Sequence, residues 1–216
     1  AIIEMTQKYT NLEIHLSTQQ STLNVPAVKF FKKQGVTRVV LGREATKEEI
    51  KAILDEVDIE IETFIHGAMC SSYSGRCVLS NFLTARDSNR GGCSQICRWD
   101  FDLYDDQNHF LEGEKPFTFC TKDLSLLKYL PDMIDMGITS FKIEGRMRSI
   151  YYIATVVSTY RKAIDNYLQN PKTYQYDQTL ERVLRRVANR DSIPQFFNQK
   201  NDEECQYYNG RVELSN

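Results

Sequence analysis

The chain has 216 residues, 41% hydrophobic and 26% charged, with a net charge of −2. That is an ordinary soluble composition with enough length for one sizeable core, and it excludes nucleic-acid binding through an overall basic field, leaving only a local patch. No apolar run reaches the length of a membrane span and no basic-then-apolar leader opens the sequence, so a cytoplasmic protein without membrane contact is expected.

Residues 12–17 alternate apolar and polar, which predicts a strand carrying His15. Residues 24–34 predict a helix, with Pro26 in its first turn and Gly35 after its end. Arg38-Val39-Val40-Leu41-Gly42 is a β-branched run suited to a buried strand. Thr46-Lys47-Glu48-Glu49 is a capping signature for a helix to about Glu56, and residues 59–66 alternate again as a strand. The order β-α-β-α-β with short connections predicts parallel strands.

From Gly67 the periodicity stops, and an irregular stretch as long as 67–99 inside a compact domain is usually functional. Residues 101–104 and 117–119 are expected to pair across the polar segment 105–115. Residues 124–136 predict a helix broken at Pro131, residues 140–144 a strand, 149–168 a long helix and 177–189 a basic one. Alternation of this kind suggests a barrel or an open parallel sheet, whose ligands gather at the carboxyl ends of strands. The polar residues assigned to those ends are His15, Ser17 and Gln19, then Arg43 and Glu44, then His66, then Glu144 and Arg146.

Four of the six cysteines fall in the irregular stretch, spaced Cys70-x6-Cys77-x15-Cys93-x3-Cys97. Clustered thiols in a chain of this length without a leader point to ligands rather than to a disulfide framework. A zinc ribbon would show tighter Cys-x2-Cys knuckles, so zinc is the weaker alternative, and the wide spacing suits an iron–sulfur cluster. Cys120 could replace one of the four, whereas Cys205 sits in an acidic polar tail as a plain thiol. Arg76, Arg86, Arg90 and Arg98 accompany the cysteines, with Tyr73 and Trp99 nearby. They could offset cluster charge or hold phosphates and stack bases. Lys142 and Glu144 share a strand face, where they could form an ion pair or part of an anion site with Arg146 and Arg148. No G-x-S-x-G, H-E-x-x-H or phosphate-binding loop is present.

The run Glu62-x-Phe64-x2-Gly67-Ala68-Met69-Cys70-x4-Gly75-x-Cys77-x-Leu79-Ser80 resembles the signature of the collagenase-like peptidases of peptidase family U32. The similarity extends to residues 14–19, 38–44, 92–98, 122–124 and 141–146, most of the chain from 12 to 167. It implies a (β/α)8 barrel, of which this chain would be an incomplete piece: residues 1–168 the carboxyl portion of the TIM-like barrel with the cysteine-rich loop 67–99, and 169–216 a helical or irregular extension. The family name implies proteolysis, by a metal or by a thiolate with His66. Other members imply oxygen-independent hydroxylation of tRNA wobble uridine, a ribosomal cytidine or a quinone precursor, with a [4Fe–4S] cluster and prephenate as hydroxyl donor. Cys70, Cys77 and Cys93 match the cluster ligands; Cys97 is the choice for the fourth, with Cys120 left open. Trp99 and the Cys70–Cys77 spacing look most like the tRNA-modifying members. On this reading His66 or Glu62 moves protons. His15, Gln19, Arg43, Glu44, Tyr73, Lys142, Glu144 and Arg146 contact substrate, Arg43, Lys142, Arg146 and Arg148 holding a carboxylate or phosphate. The partners are RNA and a second family member in a homo- or hetero-oligomer.

Overall fold

The computed structural model describes residues 1–111, 117–187 and 190–198. Cys205, the polar tail and the end of the helix expected to reach Asn189 lie outside those residues, as does part of the segment expected to turn before Phe117.

A helix that sequence analysis did not assign, α1 (Ile2–Tyr9), opens the chain and buries none of its residues. Three parallel strands follow: β1 (His15–Leu16), β2 (Arg38–Val40) and β3 (Glu60–Gly67). Their connections are helical for the expected local reasons. In α2 (Val25–Lys33) the Asn24 side chain accepts from the Ala27 N–H at 3.0 Å and proline occupies the first turn. In α3 (Lys47–Glu56) Thr46 and Glu49 form the full capping box, at 3.2 Å and 2.9 Å. α2 and α3 pack together, and Val28, Ile50 and Ile53 are buried in the core with Val39, Ile61 and Ile65 of the sheet.

α4 (Leu79–Thr84) lies inside the cysteine loop. Phe101 bridges Phe117 as expected, but Tyr104 bridges Phe110 instead of the 117–119 segment. The expected helix 124–136 is divided: β4 (Asp123–Ser125) is a strand, and Pro131 sits in the first turn of α5 (Leu130–Asp135) instead of breaking a longer helix. β5 (Ser140–Ile143), α6 (Ile150–Gln169), α7 (Gln178–Leu184) and β6 (Ser192–Ile193) complete the order. Ser149 caps α6 through the Tyr152 N–H at 3.1 Å. Tyr152, Val156, Thr159, Tyr160, Ala163 and Tyr167 form its buried stripe at helical spacing. α6 packs against α5 and α7.

The result is a mixed α/β fold with a central sheet of six strands and seven helices among the described residues. β3 is the hub. β5 pairs in parallel along one of its edges; β2 and β4 share the other, β2 opposite residues 60–62 and antiparallel β4 opposite His66 and Gly67. β6 extends the sheet from β4. The expectation of an all-parallel sheet is therefore corrected by β4, and among the described residues the sheet does not close on itself. None of their helices is long and apolar enough to cross a membrane.

Candidate functional site

Where the parallel strands end, a pocket of about 420 Å³ opens, within the usual range for small-molecule sites. Ser17 and Gln19 reach it from the end of β1, Arg43 from β2, Ala68 and Met69 from β3, and Glu144 and Arg146 from β5. The cysteine loop forms the opposite wall, and Cys70, Cys77, Cys93 and Cys97 all line the same pocket.

The loop is fastened to the sheet at defined points. Ser74 is its buried anchor: its N–H and hydroxyl both donate to Glu44 Oε1, at 2.8 Å and 3.1 Å, and its hydroxyl accepts from the Arg43 N–H at 3.3 Å. Gly75 follows with φ +75, and a Cβ there would stand 1.9 Å from the Gln19 carbonyl oxygen. On the far side Arg146 donates to the carbonyls of Gly91, at 2.6 Å, and Cys93, at 3.4 Å. Glu44→Ala should cost about 2 kcal/mol through two lost charge-assisted bonds, read as a lower melting temperature with the loop first to lose amide-exchange protection.

The five described cysteines are free thiols. Burial raises the Cys70 thiol pKa, opposed by the charge of Arg43 and reinforced by Cys93, Glu44 and Cys77. Cys97 is likewise raised by burial, opposed by Arg98. Cys70 is exposed on the wall of the cavity. Among the described residues no three His, Cys, Asp or Glu side chains stand close enough to hold one metal ion. Four free thiols on one cavity are the type and number of donors that a [4Fe–4S] cluster takes. Cys120 is buried outside the pocket lining, against the Arg190 guanidinium.

Of the residues expected to bind substrate, Gln19, Arg43, Tyr73, Lys142, Glu144 and Arg146 line the pocket. His15 and Glu44 do not. β1 begins at His15, in register with Arg38 at the start of β2, so His15 lies at the amino end of the sheet. Glu44 turns into the Ser74 anchor. The expected Lys142–Glu144 pair is replaced by Lys142–Glu62 at 3.0 Å, and Glu144 Oε1 accepts the Arg146 N–H at 3.2 Å. Arg148 does not face an anion site: it pairs with buried Asp123 at 2.7 Å and stacks on Tyr152. Arg43 differs from these cations. Its guanidinium lies 3.7 Å from the centroid of the Phe64 ring, its Nε has no hydrogen-bond partner among the described residues, and no carboxylate pairs with it there. Arg98, which sequence analysis grouped with the loop arginines and did not name as a contact, also lines the pocket. The signal that could have found it is its position directly after Cys97.

The two expected proton carriers are elsewhere. Glu62 accepts from Lys142 and from Ser140 at 2.9 Å. Burial acts to raise its pKa, but Lys142, Ser140 and Arg38 together hold it below the usual value. His66 would share the face of Glu62 and Phe64 under strict alternation. A β-bulge intervenes: Phe64 stands opposite Lys142 and His66 opposite the very next residue, Ile143, so the two side chains leave on different faces. His66 is only 2% exposed, with Nδ1 3.3 Å from the Tyr160 hydroxyl. That hydroxyl gives its own hydrogen to the Ile65 carbonyl at 2.9 Å, so the imidazole Nδ1 is the donor in the pair.

Burial, helped by the charge of Arg148, lowers the His66 pKa from 6.5 to about 4. The unfolded chain therefore takes up a proton below pH 6.5 that the folded chain refuses, and stability falls as pH drops from 6.5 toward 4. The expected loss at pH 4 is about 3 kcal/mol. Thermal melts of wild type and His66→Gln across that window should diverge; parallel curves would sink the assignment.

The sequence model of Peptidase family U32 matches residues 1–207. The chain belongs to peptidase family U32. Among the relatives of this U32 chain is tRNA hydroxylation protein P1 of Bacillus subtilis, 56% identical over 192 residues, which cover 87% of this chain and 46% of that protein. Another is a 23S rRNA 5-hydroxycytidine synthase of Escherichia coli, 42% identical over 71% of this chain and 23% of that protein. A solved structure of the U32 peptidase Mk0906 aligns at TM-score 0.38 and 12% identity, over 68% of this chain and 53% of that one, too distant to carry an argument. The chain spans about half the length of its B. subtilis relative.

Proposed function

We propose that the protein carrying this chain is an iron–sulfur-dependent RNA hydroxylase acting on tRNA wobble uridine, with prephenate as hydroxyl donor. The observation that carries this reading is the convergence of four free thiols on one cavity at the strand ends of a chain 56% identical to a tRNA hydroxylation protein. The chain would be the carboxyl part of a (β/α)8 barrel. β1, β2, β3 and β5 are parallel and each is added beside the one before, the single winding a barrel needs, while β4 adds to the rim beyond the end of β2.

Cys70, Cys77, Cys93 and Cys97 would hold a [4Fe–4S] cluster, which when bound supplies redox chemistry that no side chain here offers. The chain's own residues do the rest. Arg43, stacked on Phe64 and without a carboxylate partner among the described residues, receives a carboxylate of the cosubstrate, and Arg98 adds positive charge beside Cys97. Glu144 lines the pocket and spends one oxygen on a backbone N–H, which makes it the better-placed proton acceptor than Glu62 or His66. Gln19 and Tyr73 border the space left for the base. The family's peptidase name favours a second reading, thiol or metal proteolysis, but His66 points away from every cysteine in the pocket and offers none of them a general base.

Anaerobic purification should give about four irons and four sulfides per chain, and Cys70→Ala should lose most of both. One zinc without sulfide would overturn the cluster. In a strain lacking the gene, wild type should restore hydroxylated uridine in tRNA nucleoside digests and Cys77→Ala should not; restoration by Cys77→Ala would overturn the reaction.

A further inference from the structure

The outer surface of the cysteine loop carries groups the pocket does not use. Phe82 on α4 is 84% exposed, and Trp99 is half exposed just after pocket-lining Arg98. Both belong to one packed unit: the Ser94 N–H donates to Ser80 at 2.8 Å and the Thr84 and Ser94 hydroxyls meet at 2.9 Å, which holds α4 against the 3₁₀ turn Ile96–Arg98. Ser80 and Thr84 face that contact, so Phe82 is left on the outer side. Arg76, Arg86 and Arg90 are exposed on the same loop. None of the three guanidiniums has an ion-pair or hydrogen-bond partner among the described residues, unlike Arg38, Arg146, Arg148, Arg161, Arg185 and Arg190. From 71 to 99 the chain holds four arginines and one acidic residue, Asp87, whose carboxylate is spent on the Asn89 N–H. A loop with a net charge of +3 in a chain of −2 is a local basic patch.

We infer that this outer face is the RNA-docking surface, and that its occupant is an unpaired stretch of RNA. Phe82 and Trp99 offer flat faces for splayed bases, and Arg76, Arg86 and Arg90 meet the phosphates between them. Arg76 sits between pocket-lining Gly75 and Cys77, and Arg90 between pocket-lining Asn89 and Gly91, so both stand at the rim. A strand crossing Phe82 and Trp99 would present its next base to the pocket mouth. Unpaired RNA is the occupant because a duplex hides the base faces that exposed aromatics need, and flat rings set among unpaired cations match the alternation of bases and phosphates along a single strand. The inference rests on the RNA reading above.

The test measures binding of the purified protein to an RNA hairpin with an unpaired loop and to a blunt RNA duplex, over a range of salt. Phe82→Ala and Trp99→Ala should each weaken loop binding about tenfold and leave duplex binding nearly unchanged. Arg86→Glu with Arg90→Glu should weaken both and flatten the log–log salt slope by about 1.4. Phe82, Arg86 and Arg90 are exposed, so melting temperatures of those variants should match wild type, and Trp99→Phe, which keeps a flat ring, should retain most of the loop binding that Trp99→Ala loses. Wild-type loop binding with all variants unaffected would overturn the surface and leave the RNA reading standing. Variants that change oligomeric state but not RNA affinity would assign the face to a protein partner and overturn it too. Absence of any wild-type RNA binding would remove the RNA reading itself.

Discussion

Asp123→Asn is expected to destabilise the protein more than any other single loss of charge, by about 3–5 kcal/mol, because it removes the buried carboxylate that Arg148 and fully buried Arg190 share. Asp123 is 2% exposed on its side chain, Arg190 1% and Arg148 10%; their contacts with Asp123 are 2.6 Å and 2.7 Å. Asparagine preserves shape and removes the one negative charge. Arg98 lies close enough to feel the same group: burial, then Arg190, holds its pKa below the ordinary value, while Asp123 opposes them. Arg190 would then lose its ion partner and Arg148 its contact with Asp123, with the Arg98 cation close by. In a domain of this size the melting temperature should fall by roughly 6–20 °C. The double change Asp123→Asn with Arg190→Met removes one stranded charge and should recover part of the loss. A fall of only a few degrees in the single variant would show that water reaches these groups.

Gly75→Ala should abolish loading of the proposed cluster while leaving the sheet folded. The left-handed backbone alone costs an alanine about 1–2 kcal/mol. The larger effect is steric: the Gln19 carbonyl oxygen sits 1.9 Å from the new Cβ, and it is backbone, so the loop must lift away. Lifting it pulls Ser74 from Glu44 and moves Cys70 and Cys77, which flank this point, away from Cys93 and Cys97. Gly91→Ala is the control, with φ +83 and nothing within 4 Å of its Cβ. It should lose about 1 kcal/mol and keep its iron. Equal iron in both variants after anaerobic purification would mean that the clamp at Gly75 does not shape the site.

The parallel frame was legible because local chemistry and tertiary structure agree there. Thr46 caps its helix where expected, the helices expected from Asn24 and Ser149 begin there with those residues as caps, and the β-branched run at 38–40 is a buried strand. β4 was not legible: Asp123-Leu124-Ser125 is three residues long, and its strand state comes from pairing with the far end of β3 and with β6. The site was half legible. Of the eight residues expected to contact substrate, six line the pocket: Gln19, Arg43, Tyr73, Lys142, Glu144 and Arg146. The pocket lining leaves out His15, Glu44, Glu62 and His66, for three separate reasons. β1 is two residues long and starts at its histidine. Glu44 is taken by the buried N–H of Ser74, and Glu62 by the Lys142 cation. His66 follows a bulge, and a bulge leaves no mark in a pattern of alternating residues.

The hub position of β3 also sets how freely the loop can change in length. Its pairing with β5 joins residues 78 apart in sequence, as in the Glu62–Ser140 contact, so the whole cysteine region is an excursion with both feet fixed in the sheet. The entropy of closing such an excursion grows only logarithmically, by about 0.6 kcal/mol for each doubling. The exposed turn at 106–108, where Asn108 adopts φ +66, is therefore a natural insertion point. A reporter domain placed there would leave the sheet's stability almost untouched, and it would ride on the cysteine region as a probe of that region's motion.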